Sequence, residues 1–232
     1  MGISRSILLG TAAVVGLVGA RAADAQTNRR IVVTPYAGVF VPATKVAQFR
    51  SEAGGTDHVV GIRQQSALAL GANASYWFSN LTGVEVGGAW AFSDARPRGG
   101  LSNEVPGSLP TTQSARVLFA SAKLMLNLVP FSERTALRFG VGPAIISHGG
   151  SAYNSDVGGK FTGLTDIGGA ASLCSRIPMT DFLSLRLRAE SFIYSSKFRF
   201  VSATDPGRNV DFAARVQNDF IFSAGLQMRW WR

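Results

Sequence analysis

Beyond residue 30 the chain alternates apolar and polar or small residues with a period of two. In 81–93, Val84, Val86, Trp90 and Phe92 share one face, and Gly83, Glu85, Gly87, Ala89 and Ala91 share the other. In 182–195, Leu183, Leu185, Leu187 and Ile193 oppose Arg186, Arg188 and Glu190. Near the C-terminus, Phe220, Phe222, Leu226, Met228 and Trp230 oppose Ser223, Gly225, Gln227 and Arg229. Helical spacing would scatter these leucines around the axis, so the pattern predicts strands. Eight segments follow it: 30–41, 64–78, 81–93, 114–129, 136–147, 162–177, 182–195 and 217–231. Several are far longer than the usual strand of about 5–6 residues. They match tilted bilayer-spanning strands, which need roughly 9–11 residues and often project beyond the membrane.

The connections alternate too. Long ones cover 42–63, 94–113, 148–161 and 196–216, and short turns cover 79–80, 130–135 and 178–181. Four long loops and three short turns describe eight antiparallel strands with both termini on one side. A free sheet edge cannot face hydrocarbon, so the expected fold is all-β: a closed eight-stranded antiparallel transmembrane barrel, its short turns periplasmic and its long loops outward.

The start of the chain agrees with export. A basic start, Met1–Arg5, precedes the apolar run Ile7–Ala20, and Ala23-Asp24-Ala25 forms an A-x-A site before Gln26. The layout predicts a signal peptide over 1–25, cleaved after Ala25, and a barrel domain over 26–232. A membrane anchor is the competing reading, but the run is short for a helical span of about 20 residues. The 232-residue chain carries +9 with a pI near 10.6. Such a charge ordinarily raises nucleic-acid binding; for an exported protein no nucleic-acid partner is expected. The single Cys excludes a disulfide scaffold and a Cys-rich zinc module.

An outward Arg or Lys at the bilayer midplane costs roughly 2–4 kcal/mol. Glu85, Lys123, Arg138, Asp166, Arg186, Arg188 and Glu190 therefore point inward, where opposite signs can form a charge network. Small inward residues, among them Gly71, Gly87, Gly140, Gly142 and Gly225, make room for large ones. An eight-stranded barrel is just wide enough for side chains to fill, so the expected lumen is a polar plug. Tyr76, Phe78, Trp90, Phe92, Trp230, Trp77 and Trp231 lie near span ends and read as an interfacial girdle. Ordinary sandwich core is the alternative for these aromatics.

Candidate chemistry is sparse. His148, Ser151 and Asp156 share one loop and could in principle form a nucleophile–base–acid set, but Gly149-Gly150 gives no rigid positioning, and a solvated loop histidine is the simpler reading. Cys174 is expected to be a buried packing residue. No catalytic, cofactor or metal site is expected, and the chain is read as a non-enzyme. Arg96, Arg98 and Arg199 sit on the loop rims, where guanidinium groups could contact lipopolysaccharide phosphates. Generic solubilising charge explains them equally well.

On this architecture, on the C-terminal strand with Phe220, Phe222, Leu226, Met228 and Trp230, and on Thr34-Pro35-Tyr36-Ala37-Gly38, residues 26–232 resemble the small outer-membrane barrels of Gram-negative bacteria, the OmpA-like transmembrane-domain class with its OmpX- and OmpW-like members. The chain departs from the pattern by continuing with Trp231 and Arg232. The resemblance implies outer-membrane localisation, a monomer among outer-membrane lipids and lipopolysaccharide, and reading of the C-terminal strand by the barrel assembly machinery. It also implies a structural or surface-interaction role. The rivals are a narrow OmpW-like channel for small or hydrophobic solutes, a membrane-embedded lipid enzyme and a soluble lipocalin-like barrel.

Overall fold

The computed structural model describes residues 31–44, 47–53, 56–98, 113–129, 136–155, 159–180, 183–202, 210–211 and 215–228. The expected signal peptide, Asp156, Arg229, Trp230 and Trp231 lie outside these residues.

Eight strands form the barrel: β1 (Ile31–Pro42), β2 (Ala67–Trp77), β3 (Thr82–Ala91), β4 (Arg116–Asn127), β5 (Ala136–Gly149), β6 (Thr165–Pro178), β7 (Leu183–Ser196) and β8 (Arg215–Met228). Each pairs antiparallel with its sequence neighbours, and β1 closes the ring on β8 from Tyr36↔Gly225 to Pro42↔Asp219. The fold is the eight-stranded antiparallel barrel that the alternation predicts, with boundaries displaced by only a few residues.

The short turns are held by their own side chains. Ser79 Oγ accepts the N–H of Thr82 at 3.0 Å, while the N–H of Phe78 bonds the Thr82 carbonyl at 3.0 Å. At the next described turn the N–H of Leu183 reaches Thr180 Oγ1 at 3.0 Å. Serine and threonine suit such positions because their hydroxyls replace ladder partners where the strand reverses.

The barrel is apolar outside and polar inside. Val39, Leu70, Val86, Leu118, Val141, Ile145, Leu173, Ile193, Phe222 and Leu226 are exposed, whereas Glu85 and Lys123 are buried. An apolar surface of this extent excludes the soluble lipocalin-like reading, since soluble monomers rarely expose contiguous patches beyond a few hundred Å². No helix among the described residues is long and apolar enough to cross a membrane. The strands make the crossing.

The long connections are more ordered than their polar composition suggests. The first two supply a four-stranded sheet from Ala47–Ala53, Thr56–Gln64, Asp94–Arg98 and Gln113–Ser114. The last two supply another from Asn154–Ser155, Gly159–Thr162, Arg199–Ser202 and Val210–Asp211. The hairpins thus continue beyond the lipid-facing belt, where lipid no longer enforces the alternation that marks the spans.

Candidate functional site in the lumen

The lumen is stitched together by charge across its width. Glu85 on β3 is flanked in the ladder by Ser75 on β2 and Lys123 on β4. Ser75 Oγ donates to Glu85 Oε2 at 2.9 Å, and Lys123 Nζ lies 3.4 Å from Glu85 Oε1. From β7, on the opposite wall, Arg186 Nη2 and Arg188 Nη2 each donate to Glu85 Oε2 at 2.6 Å. Lys123 also bonds Glu190, whose other oxygen lies 3.5 Å from Arg188 Nη1. Cys174 is buried beside this set, and its Sγ accepts a hydrogen bond from Arg186 Nη2 at 3.3 Å. A single buried ion carries a penalty of several kcal/mol, which only close pairing and added hydrogen bonds offset.

Glycines give these long side chains their room. The Tyr36 ring occupies the space a Cβ at Gly71 would need, Met125 does so at Gly140, and Asn73 at Gly87. Tyr36 Oη then donates to the Gly88 carbonyl at 3.1 Å.

Two members of the expected network lie elsewhere. Arg138 is buried toward the periplasmic end, with its guanidinium carbon 4.3 Å from the centre of the Trp77 ring. Trp77 itself faces the lumen, which corrects its assignment to the outer girdle: it shares the phase of Asn73 and Ser75, and all three are buried. Asp166 is inward but near the extracellular end, where its carboxylate accepts the backbone N–H of Lys197. It joins none of the ion pairs among the described residues.

The extracellular half of the lumen corrects the polar-plug expectation in composition. There Phe40, Phe119, Phe192, Ile146, Ile221 and Tyr194 form an apolar layer. Phe119 stands 4.5 Å from Phe192 and 5.6 Å from Phe40, centroid to centroid. The lumen is charged below and aromatic above.

His148 also departs from expectation. It is buried at the end of β5, in the inward phase set by Ala144 and Ile146, rather than solvated in a loop. Its Nε2 lies 3.2 Å from Tyr194 Oη, which donates to Asp219 Oδ2 at 2.7 Å. Tyr153, in a short 3-10 turn, and Phe198 pack on its ring at 5.8 and 5.4 Å. Burial pushes the Tyr153 phenol above its ordinary pKa. Ser151 Oγ accepts the N–H of Ser114 at 3.1 Å. Gly149 and Gly150 hid this end of β5 in the sequence, although the inward phase continued to His148.

On the lipid face, Tyr76 with Phe78, Trp90 with Phe92, and Phe220 with Phe222 form aromatic pairs two residues apart, with centroids 5.2, 6.2 and 6.2 Å apart. Phe222 and Leu226 are exposed on β8, while Phe220 is half-buried. Met228 ends β8, but its side chain lies outside the described residues. Arg199 is exposed on an extracellular strand. Arg96 and Arg98 occupy register positions opposite Arg63 and Gly61, with side chains outside the described residues.

No family model matches the chain, and no curated protein aligns with its sequence. The solved structures are more informative. The outer membrane protein OprG from Pseudomonas aeruginosa superposes with a TM-score of 0.61 at 13% identity, over 88% of this chain and 98% of that one. The fold is that of the small outer-membrane barrels. The outer membrane protein AlkL, solved in DMPC bilayers, gives 0.53 at 15% identity over 85% and 89% of the two chains. Neisserial surface protein A gives 0.51 at 9% identity over 88% and 99%. Such identities carry the fold alone. With the exposed apolar belt, that fold makes the chain a membrane-spanning barrel of the outer-membrane type.

The charge network makes one residue diagnostic. Lys123→Met removes the cation lying between Glu85 and Glu190. It is expected to cost about 3–5 kcal/mol, the usual penalty for breaking a buried pair by removing one partner. Urea unfolding of the barrel refolded in lipid vesicles measures this, and a loss below about 1 kcal/mol would show the network to be energetically idle.

Proposed function

We propose that this outer-membrane barrel is a closed, non-conducting protein with a structural or surface-interaction role, presented by its extracellular sheets. The observation that carries the reading is the cross-lumen pairing of Glu85 with Arg186 and Arg188, capped by the Phe40–Phe119–Phe192 layer. A continuous water path would have to part both. In this reading residues 1–25 are a signal peptide cleaved on export. The barrel is monomeric, and Phe220, Phe222, Leu226, Met228 and Trp230 form the strand read by the assembly machinery. It uses no cofactor and performs no catalysis.

The same surface proposal assigns Arg96, Arg98 and Arg199 to lipopolysaccharide phosphates. Exposure of Arg199 on an extracellular strand supports it. A second reading, passage of a hydrophobic solute, is favoured by the apolar character of the upper lumen. The charged layer below opposes it, because an apolar solute would have to displace paired ions.

Purified protein in planar lipid bilayers is expected to show no large, stable open channel. Sustained openings of that kind would overturn the closed-lumen reading. For the surface contact, joint Arg96→Gln, Arg98→Gln and Arg199→Gln substitution is expected to weaken lipopolysaccharide binding about tenfold or more, given roughly 1.5–3 kcal/mol for a hydrogen bond to a charged group. Unchanged binding would assign these arginines to solubility alone.

A further inference from the structure

The lipid face is not evenly filled. On its β6–β8 side a shallow groove of about 570 Å³ crosses the strands, framed by Leu137, Leu173, Leu187 and Phe222. The ladder explains it. Ala189 on β7 stands between Leu173 on β6 and Phe222 on β8, and Ala224 on β8 stands between Leu187 on β7 and Ala37 on β1. Alanine where the neighbouring strands carry leucine and phenylalanine leaves a trough, and its lining forfeits dispersion contacts unless hydrocarbon fills it.

A polar pair stands at the extracellular end of this trough. Ser191 on β7 and Asn218 on β8 share the outward phase of Ala189 and Phe222, and both are half-buried. Ser191 Oγ donates to Asn218 Oδ1 at 2.9 Å. The Asn218 backbone is satisfied too: its N–H reaches Thr44 Oγ1 at 3.3 Å, and its carbonyl accepts the N–H of Ala43 at 3.0 Å. The side-chain Nδ2, with two N–H donors, has no acceptor among the described residues. Val216, two residues before it, and Ile193, directly opposite, are 70% and 52% exposed, so the amide lies inside the apolar belt and not above it. An unmet N–H facing hydrocarbon is costly, and lipid is what faces this one.

The spacing fits a single chain in one leaflet. Asn218 and Ala224 are six residues apart on β8, roughly 20 Å at the usual rise of a strand. With a tilt of about 40° this becomes about 15 Å along the membrane normal, half of a hydrocarbon core of about 30 Å. Asn218 lies toward the extracellular end of β8, so the leaflet is the outer one.

We propose that Asn218 and the trough below it bind one acyl chain of lipopolysaccharide. The Asn218 amide donates to a carbonyl or hydroxyl oxygen at the head of the chain, and the chain lies over Ala189 and Ala224. Lipopolysaccharide chains carry hydroxyl groups beside their ester and amide carbonyls, so both donors of one side-chain amide can be met. The site rests on the outward placement of the extracellular sheets in the reading above, and not on the arginines assigned there to phosphates.

The full barrel in maltoside micelles is titrated with deep-rough lipopolysaccharide or, in a parallel arm, with phosphatidylglycerol. Native mass spectrometry reads bound lipid per barrel, and nitrogen-15 NMR follows the Asn218 side-chain amide, assigned with Asn218→Leu. Lipopolysaccharide is expected to bind saturably and to shift that resonance. Asn218→Leu and, separately, Ala224→Phe, which fills the trough, should each weaken binding at least tenfold. Ala120→Phe on the lipid face of β4 should leave it unchanged. Binding unaffected by both Asn218→Leu and Ala224→Phe, or equally strong for phosphatidylglycerol, overturns the site. Should the joint Arg96, Arg98 and Arg199 substitution weaken binding while these two variants do not, the trough fails and the phosphate contacts stand. The reverse pattern supports the trough and removes those contacts, and absence of any lipopolysaccharide binding overturns both. Each variant places an apolar side chain against lipid, and heat-modifiable gel mobility verifies that it is folded.

Discussion

Glu85 accepts hydrogen bonds from Arg186 and Arg188 across the full width of the barrel, and the rest of the lumen is arranged around that fact. A carboxylate with no access to water must find cations or give up its charge, and a guanidinium group cannot readily give up its own. In an eight-stranded ring, β3 and β7 stand on opposite walls. These ion pairs therefore cross the interior and do not run along it. Lys123 and Glu190 extend the arrangement, so two carboxylates and three cations share one buried layer. The arrangement requires small residues on the intervening strands, which explains the glycines facing Tyr36, Met125 and Asn73.

Above this layer the chemistry reverses. Phe40, Phe119 and Phe192 fill the extracellular half with rings, and Tyr194, His148 and Asp219 close it with a short polar chain. Below it, Trp77 and Arg138 stack toward the periplasm. The lumen is therefore three successive materials: a cationic–aromatic floor, an ion-paired middle and an apolar roof. Lipid imposes the complementary order outside, where large apolar side chains and paired aromatics face hydrocarbon and interface.

Much of this was legible because lipid punishes errors of phase. The strand expected over 182–195 is β7, Leu183–Ser196, and its charged residues face inward because an outward arginine would be costly. Partners were not legible. Arg186 and Glu85 are 101 residues apart, and only closure of the ring decides which walls meet. Trp77 reads as girdle because it ends a span, although its phase with Ser75 points inward. His148 reads as loop because the glycines after it mask the end of β5. The extracellular hairpins, including Thr56–Gln64, leave no signal in the sequence because no lipid belt imposes alternation there.

Glu85 and Arg186 tie opposite walls of the barrel together energetically. A double-mutant cycle of Glu85→Gln and Arg186→Gln, measured by reversible urea unfolding in vesicles, addresses it most directly. Coupling of about 1.5 kcal/mol or more is the predicted result, the lower end of values for close charge pairs. Additivity within about 0.5 kcal/mol, as for independent sites, would contradict it.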